Sequence, residues 1–244
     1  MAMYIYTPKD YRNKITQKDL ISFSISIGET DLFVQADRHL SRYTLNVVKQ
    51  YRREIEDYII KNPTFQKTLK PYKIKEPAPK IVKDMAKYSK IVGVGPMASV
   101  AGAIAEYVGK ELLKKSKEVI VENGGDIFLK TAQNRIVAIY AGSSPFSLKI
   151  GIELPGSDKP IGICTSSGTV GHSLSFGLAD AVTVISESCI LADACATAIG
   201  NLINKTKDFQ KGIKFAKKIK NVQGVLIIKG NKLTAFGDVK LTKI

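Results

Sequence analysis

The chain has 244 residues, a formal net charge of +15, 44 % apolar residues and 24 % charged ones. Such proportions suit a soluble globular protein and exclude disordered and fibrous classes. No apolar run approaches the ~20 residues of a membrane helix, and the start, MAMYIYTPKDYRNK, has no apolar signal-peptide core, so a cytoplasmic protein without a membrane partner is expected. Three cysteines (Cys164, Cys189, Cys195) and two histidines (His39, His172) exclude a disulfide framework and a three-histidine zinc site. The thiols read as small buried hydrophobes.

Charge is uneven along the chain. Residues 1–93 carry 18 basic and 10 acidic groups, residues 94–201 carry 8 and 10, and residues 202–244 carry 11 and 2. A near-neutral core rich in small residues is thus flanked by basic segments. A nucleic-acid partner is not favoured. Only 6 of the 37 basic residues are arginine, and no helix-turn-helix, RNA-binding strand signature or GxxG clamp is present. A solvated lysine-rich surface or the steering of a small anionic ligand accounts for the charge instead.

In chain order, residues 21–28 alternate apolar and polar as a half-buried strand does, and 30–36 complete a hairpin. Leu45, Val48, Tyr51, Ile55, Tyr58 and Ile59 make one apolar face of a helix over 41–60, ended by Asn62 and Pro63. Four prolines mark 62–79 as an extended connector, followed by a short helix to Ser89. A small-residue helix starts at Pro96 and runs to about Lys115, since proline suits a first helical turn. Strands at 119–122 and 126–130 flank a glycine turn, and further strands are expected at 135–141 and 148–154. Residues 162–177 read as a small-residue loop, 179–186 as a strand, 189–204 as a helix and 208–219 as a basic helix. A hairpin over 225–237 closes the chain. Hairpins alternating with helices indicate an α+β fold with mainly antiparallel sheet.

Three clusters carry chemistry. Residues 122–126, ENGGD, place Asn123 and Asp126 beside two glycines, Gly124 and Gly125, that permit positive φ and close backbone approach; alone this is an ordinary hairpin turn. Thr165, Ser166, Ser167 and Gly168 open a loop whose hydroxyls and bare amides can cradle a phosphate; alone it is an ordinary polar loop. His172 follows, as a catalyst or a loop hydrogen-bonder. Asp193 and Thr197 lie four apart, hence on one helix face. Their hard oxygens suit Mg²⁺, or else Asp193 is a cap and Thr197 is buried. Cys195 between them reads as packing, and Glu106 as a surface residue.

Taken together and in this order, NGGDI, TSSG and ADACAT resemble the ApbE family of FAD:protein FMN transferases. The stretches GVGPMASVAGAIAEYVG, ENGGDIFL, CTSSGTVGHSLSFGLADAVTV and ADACATAIGN are similar to an uncharacterised ApbE-like branch of archaea and bacteria. The resemblance covers about residues 20–204. It implies one ApbE-like (T-fold-type) domain over 1–244, built as two interlocked halves of antiparallel sheet backed by helices, with its motif core at about 92–204. It implies Mg²⁺ held by Asp193, Thr197 and a backbone carbonyl at Ala98 or Met97. Asn123 to Asp126 and Thr165 to Gly168 then line a site for FAD or FMN, with the helix start near Gly95 adding positive charge. Two departures stand out: Ser99 lies near the place of the family's GGIAKG lysine, and His172 is followed by SLSFGLAD where the family has His-x-x-Asp-Pro-x-Thr-Gly. The expectation is therefore Mg²⁺-dependent binding or processing of a flavin- or nucleotide-like diphosphate, with a non-enzymatic cofactor-handling protein as the alternative. A homodimer is compatible with the small-residue helices.

Overall fold

The computed structural model describes residues 19–168 and 177–244. An eight-stranded sheet runs in the order β1 (Ile21–Ile27), β2 (Thr30–Ala36), β3 (Val119–Asn123), β4 (Asp126–Lys130), β7 (Ile161–Ser166), β8 (Ala181–Ser186), β9 (Val222–Lys229) and β10 (Lys232–Gly237). Every neighbouring pair is antiparallel. A separate three-stranded sheet holds β5 (Arg135–Ala138), β6 (Ile150–Leu154) and β11 (Lys240–Lys243), with β6 in the middle.

The large sheet is made by two halves of one plan, each with two strands, a helical insertion, then two strands. The first insertion holds α1 (Ser41–Lys61), the short α2 (Thr64–Lys67), α3 (Lys80–Val92), a 3₁₀ turn (Pro96–Ser99) and α4 (Val100–Leu112). The second holds α5 (Cys189–Gly200), a 3₁₀ turn (Thr206–Asp208) and α6 (Phe209–Ala216). In α1, Thr44, Val47, Val48, Ile55 and Tyr58 are buried along one stripe, and the chain leaves the helix at Asn62 before Pro63. In α3 the helix stops where Gly93 takes a left-handed conformation at φ 80°.

The helices cover one face of the sheet. Val34, Val121, Phe128, Cys164, Val184 and Ile227 point into that core. The alternate strand residues, among them Ile120, Ile127, Ile163, Ile185 and Leu226, form a second core on the opposite face with Ile152 and Leu154 of the small sheet. This period-2 division decides which polar residues can meet.

Several expectations are corrected. The helix expected from Pro96 is split, because Ser99 turns its hydroxyl back to the Pro96 carbonyl (2.9 Å) and to Ser89 Oγ (3.1 Å) before α4 begins. The first part of the expected loop 162–177 is strand, since Ile161–Ser166 pairs on both sides with β4 and β8. Beyond the closing hairpin the chain adds strand β11, which pairs with β6 from Lys240↔Glu153 to Lys243↔Ile150.

Candidate functional site

Helices α4 and α5 meet at a glycine. A β-carbon on Gly102 would stand 2.5 Å from the Cys189 carbonyl oxygen and 2.8 Å from Asp193 Cβ, so only glycine permits this approach. Gly102 is the third residue of α4, where backbone amides have no partner inside the helix. Its N–H donates to Asp193 Oδ2 at 2.8 Å. The carboxylate of α5 thereby sits at the positive end of α4. The expectation that Glu106 lies at the surface is overturned: it is 4 % exposed. Its carboxylate accepts from Ser188 Oγ (2.8 Å) and the Ile190 amide (3.2 Å) at the start of α5.

The sheet supplies the other wall. Asn123 and Asp126 are register partners across a two-residue turn in which Gly124 (φ 65°) and Gly125 (φ 112°) both lie in the left-handed half of backbone space. Asn123 Nδ2 donates to the Ala101 carbonyl (3.1 Å), fastening this turn to α4. Asp126 lies opposite Cys164 of β7, and the Thr165 amide donates to the Gly125 carbonyl at 3.2 Å. Strand alternation puts Asn123, Asp126, Cys164 and Ser166 on the helix-covered face.

It puts Thr165 on the other. Thr165 Oγ1 bonds Thr183 Oγ1 at 2.9 Å, and its register partner Thr183 lies between Ala181 and Ile185 of the far core. The Thr165 hydroxyl is therefore spent away from Asp193, which corrects the expectation for its side chain. Ser166 points inward, 8 % exposed, and its Oγ has no hydrogen-bond partner among the described residues. Gly162 packs on Cys189, where an added Cβ would be 2.4 Å from Cys189 Cα.

Electrostatics mark the same spot. Burial raises the Asp193 carboxyl to about 7, against the opposing hydrogen bond from Gly102. Burial first, and then the charge of Asp193, push Asp126 well above the usual carboxylate range; Cys164 and the Thr165 amide oppose the rise. Two carboxyls thus share one buried region. The thiols stay protonated: burial raises Cys189 to about 11 and Cys195 to about 12, and Cys164 well above its ordinary value. Cys164 and Cys189 Sγ are 3.3 Å apart as free thiols. Cys195 is fully buried, as a packing residue should be.

The helix-face cluster thus joins Asn123, Gly125, Asp126, Ser166 and Asp193, with Thr197 buried one turn beyond Asp193 on α5. Ala98 lies in the 3₁₀ turn, which packs on α5. Gly95 faces elsewhere: a Cβ there would be 1.9 Å from the Thr68 carbonyl oxygen of the connector. Gly124 is at the open tip of the turn, with no atom within 4 Å of its Cβ position. Ser167 and Gly168 follow Ser166, and the Gly168 amide donates to the Ala179 carbonyl at 2.9 Å. His172 lies outside the described residues. Among those described, no three His, Cys, Asp or Glu side chains form a ready metal cage, so a cation here would need hydroxyl and carbonyl donors. Two concavities occur elsewhere. One of about 30 Å³ lies on the far face beside Gln35, Glu122 and Arg135, and an open one of about 430 Å³ lies beside His39, Arg42 and Tyr43. Among the described residues no single helix is long and apolar enough to cross a membrane.

This architecture is similar to that of solved flavin transferases. It matches the apo form of Pseudomonas stutzeri flavinyl transferase ApbE with a TM-score of 0.61, covering 89 % of this chain and 94 % of that one at 14 % identity. Against the flavin transferase ApbE from Vibrio cholerae the TM-score is 0.60, over 90 % and 97 % of the two chains at 13 % identity. At such identities the likeness establishes an ApbE-type α+β fold. In sequence the chain is 42 % identical over 228 residues to a UPF0280 protein of Methanococcus aeolicus, covering 90 % of this chain and 91 % of that protein. It is 40 % identical over 221 residues to UPF0280 protein MJ1526 of Methanocaldococcus jannaschii, covering 88 % and 90 %. The family model described as AbpE bacteria matches residues 12–223, and the chain belongs to that family.

Proposed function

We propose that the region where α4, α5 and the sheet ends meet binds a flavin- or nucleotide-type diphosphate together with Mg²⁺, and that Asp193, Thr197 and a carbonyl of the 3₁₀ turn hold the cation. The observation that carries this is the Asp126–Asp193 pair, of which Asp126 is buried and Asp193 is half-buried. Among the described residues neither carboxylate has a lysine or arginine partner. Two such charges in one buried region need a proton or a cation to coexist. Hard oxygens, with phosphate oxygens and water completing the shell, suit Mg²⁺. The Ser166 hydroxyl, without a partner among the described residues, offers a donor to an anionic ligand. The solved relatives in fold named as flavin transferases make FAD the first ligand to try.

When bound, the cation supplies charge neutralisation and Lewis-acid polarisation of a phosphoanhydride. The chain's own residues do the rest. Asp193 is oriented by the Gly102 amide. Asn123 and the glycine turn let the ligand approach the backbone closely. Ser166 donates to a ligand oxygen. Basic flanks raise the local concentration of an anion.

Binding without turnover is the second reading, favoured by the missing Asp-Pro-x-Thr-Gly element after His172. One experiment separates the two. FAD is titrated with and without Mg²⁺, and the mixture is then chromatographed for AMP. Mg²⁺-dependent binding with AMP release supports an enzyme, and binding without release supports a cofactor handler. Absence of Mg²⁺-dependent binding to FAD or to other nucleotide diphosphates refutes the proposal.

A further inference from the structure

Helix α5 carries both proposed cation ligands, and every residue of it except Asp193 is buried, with Ile190, Leu191 and Ile199 fully so. Its first residue, Cys189, lies against two bare glycine surfaces, Gly102 on α4 and Gly162 on β7. At these two points backbone meets backbone with no side chain between, so polar contacts at the start of the helix add to the apolar packing that places it.

The start of α5 is held by a polar assembly from α4. Ser188 is the N-cap, and its side chain accepts from the Leu191 amide at 3.4 Å. The same hydroxyl donates to Glu106 Oε2 at 2.8 Å. Glu106 Oε2 also takes the Ile190 amide at 3.2 Å. Lys110 holds the other carboxylate oxygen, Oε1, at 2.6 Å from one turn further along α4. One orphan amide of the first turn of α5, Ile190, is thus satisfied by a group rooted in the neighbouring helix, and a second, Leu191, by the Ser188 hydroxyl that this group holds. The carboxylate also complements the positive end of the helix dipole. Asp193 returns the arrangement on the Gly102 amide of α4. Each helix is therefore capped by a carboxylate of the other.

We propose that Glu106 is a positioning residue that fixes α5 axially against α4 and so sets where Asp193 and Thr197 stand. This rests on the reading of Asp193 as a cation ligand, but the Gly102 amide gives a readout independent of it. That amide is protected from exchange by Asp193, so its protection reports the place of the carboxylate whether or not a cation binds.

The experiment compares the full chain with Glu106→Ala, Glu106→Gln and Ser188→Ala. Amide exchange is followed at Gly102, Ile190 and Leu191, and the cation is titrated as Mg²⁺ alone. In Glu106→Ala, exchange at Gly102 and Ile190 is expected to accelerate about tenfold, and Mg²⁺ affinity to fall about tenfold. Glu106→Gln keeps an acceptor for Ile190 and restores most of both. If Glu106→Ala does not fold, Glu106→Gln and Ser188→Ala carry the test with smaller shifts of the same sign. A drop in melting temperature with Gly102 exchange unchanged would overturn the proposal, since that is what a merely stabilising contact does. If the unaltered protein binds no Mg²⁺, the cation reading fails, and Gly102 exchange alone still decides the role of Glu106.

Discussion

Replacing Asp193 with asparagine should make the cation-free protein more stable at about pH 8. The asparagine carbonyl can still accept from Gly102, so the cap on α4 survives, while the buried charge is gone. The sign follows from the raised pKa. A carboxyl whose folded value lies above its unfolded one favours the folded state below the unfolded value, and that advantage is lost as pH rises through the folded value. For Asp193 the window runs from 3.8 to about 7. Each tenfold change in the acid constant is 1.36 kcal/mol, so full burial would set the cost above the window at about 4 kcal/mol. Asp193 is partly open to solvent, and screening brings this to about 2 kcal/mol. In a chain of this size that is a rise of about 4–8 °C in melting temperature. The assay is thermal unfolding of both proteins at about pH 5 and about pH 8, with and without Mg²⁺. The variant should gain at both, at about pH 5 by roughly a third to a half of its gain at about pH 8, because the cost accrues from the unfolded value upward. The unaltered protein should recover the difference when Mg²⁺ is added, because binding to the folded state alone stabilises it. A variant less stable by the same amount at both pH values would refute the reasoning.

Other outcomes follow from the same geometry. Gly102→Ala forces a methyl against the Cys189 carbonyl; it should cost about 1–3 kcal/mol and weaken Mg²⁺ binding, and an unchanged unfolding curve would contradict the close approach. Ser166→Ala removes a buried hydroxyl that lacks a partner among the described residues; stability should hold or rise by up to about 1 kcal/mol, while affinity for FAD falls. Thr165→Ala should do the reverse, losing about 1 kcal/mol with the Thr183 bond and leaving FAD affinity unchanged. Calorimetry of ligand binding and denaturant titration read the two variants' effects on affinity and on stability separately.

The hairpins and most helices are legible because their signals are local. Asn123 to Asp126 declares its turn through two glycines, and α1 declares its buried stripe through spacing. The TSSG stretch is harder. Adjacent strand residues face opposite ways, and a shift of one residue exchanges them. Only the pairing Thr165↔Thr183 and Ser166↔Val182 reveals that Ser166 faces the helices while Thr165 faces away. Glu106 eludes sequence reading for another reason. Helix α4 is buried over Gly102 to Glu106 and again at Val108, Gly109 and Leu112, so no polar stripe marks its outer side. Its partner, Ser188, is more than eighty residues away. The one available hint was a lone acid amid small residues, as Asp193 is in α5. Strand β11 has no apolar alternation of its own, being mostly exposed lysine and leucine; its register with β6 comes from tertiary pairing.

The central claim is that Asp193 and its neighbours couple a cation to an anionic diphosphate. The most direct test measures the FAD dissociation constant with and without Mg²⁺ for the unaltered protein and for Asp193→Ala. The account predicts that Mg²⁺ tightens binding at least about tenfold, or 1.4 kcal/mol, in the first and not in the second. Equal tightening in both would place the cation elsewhere and contradict the account.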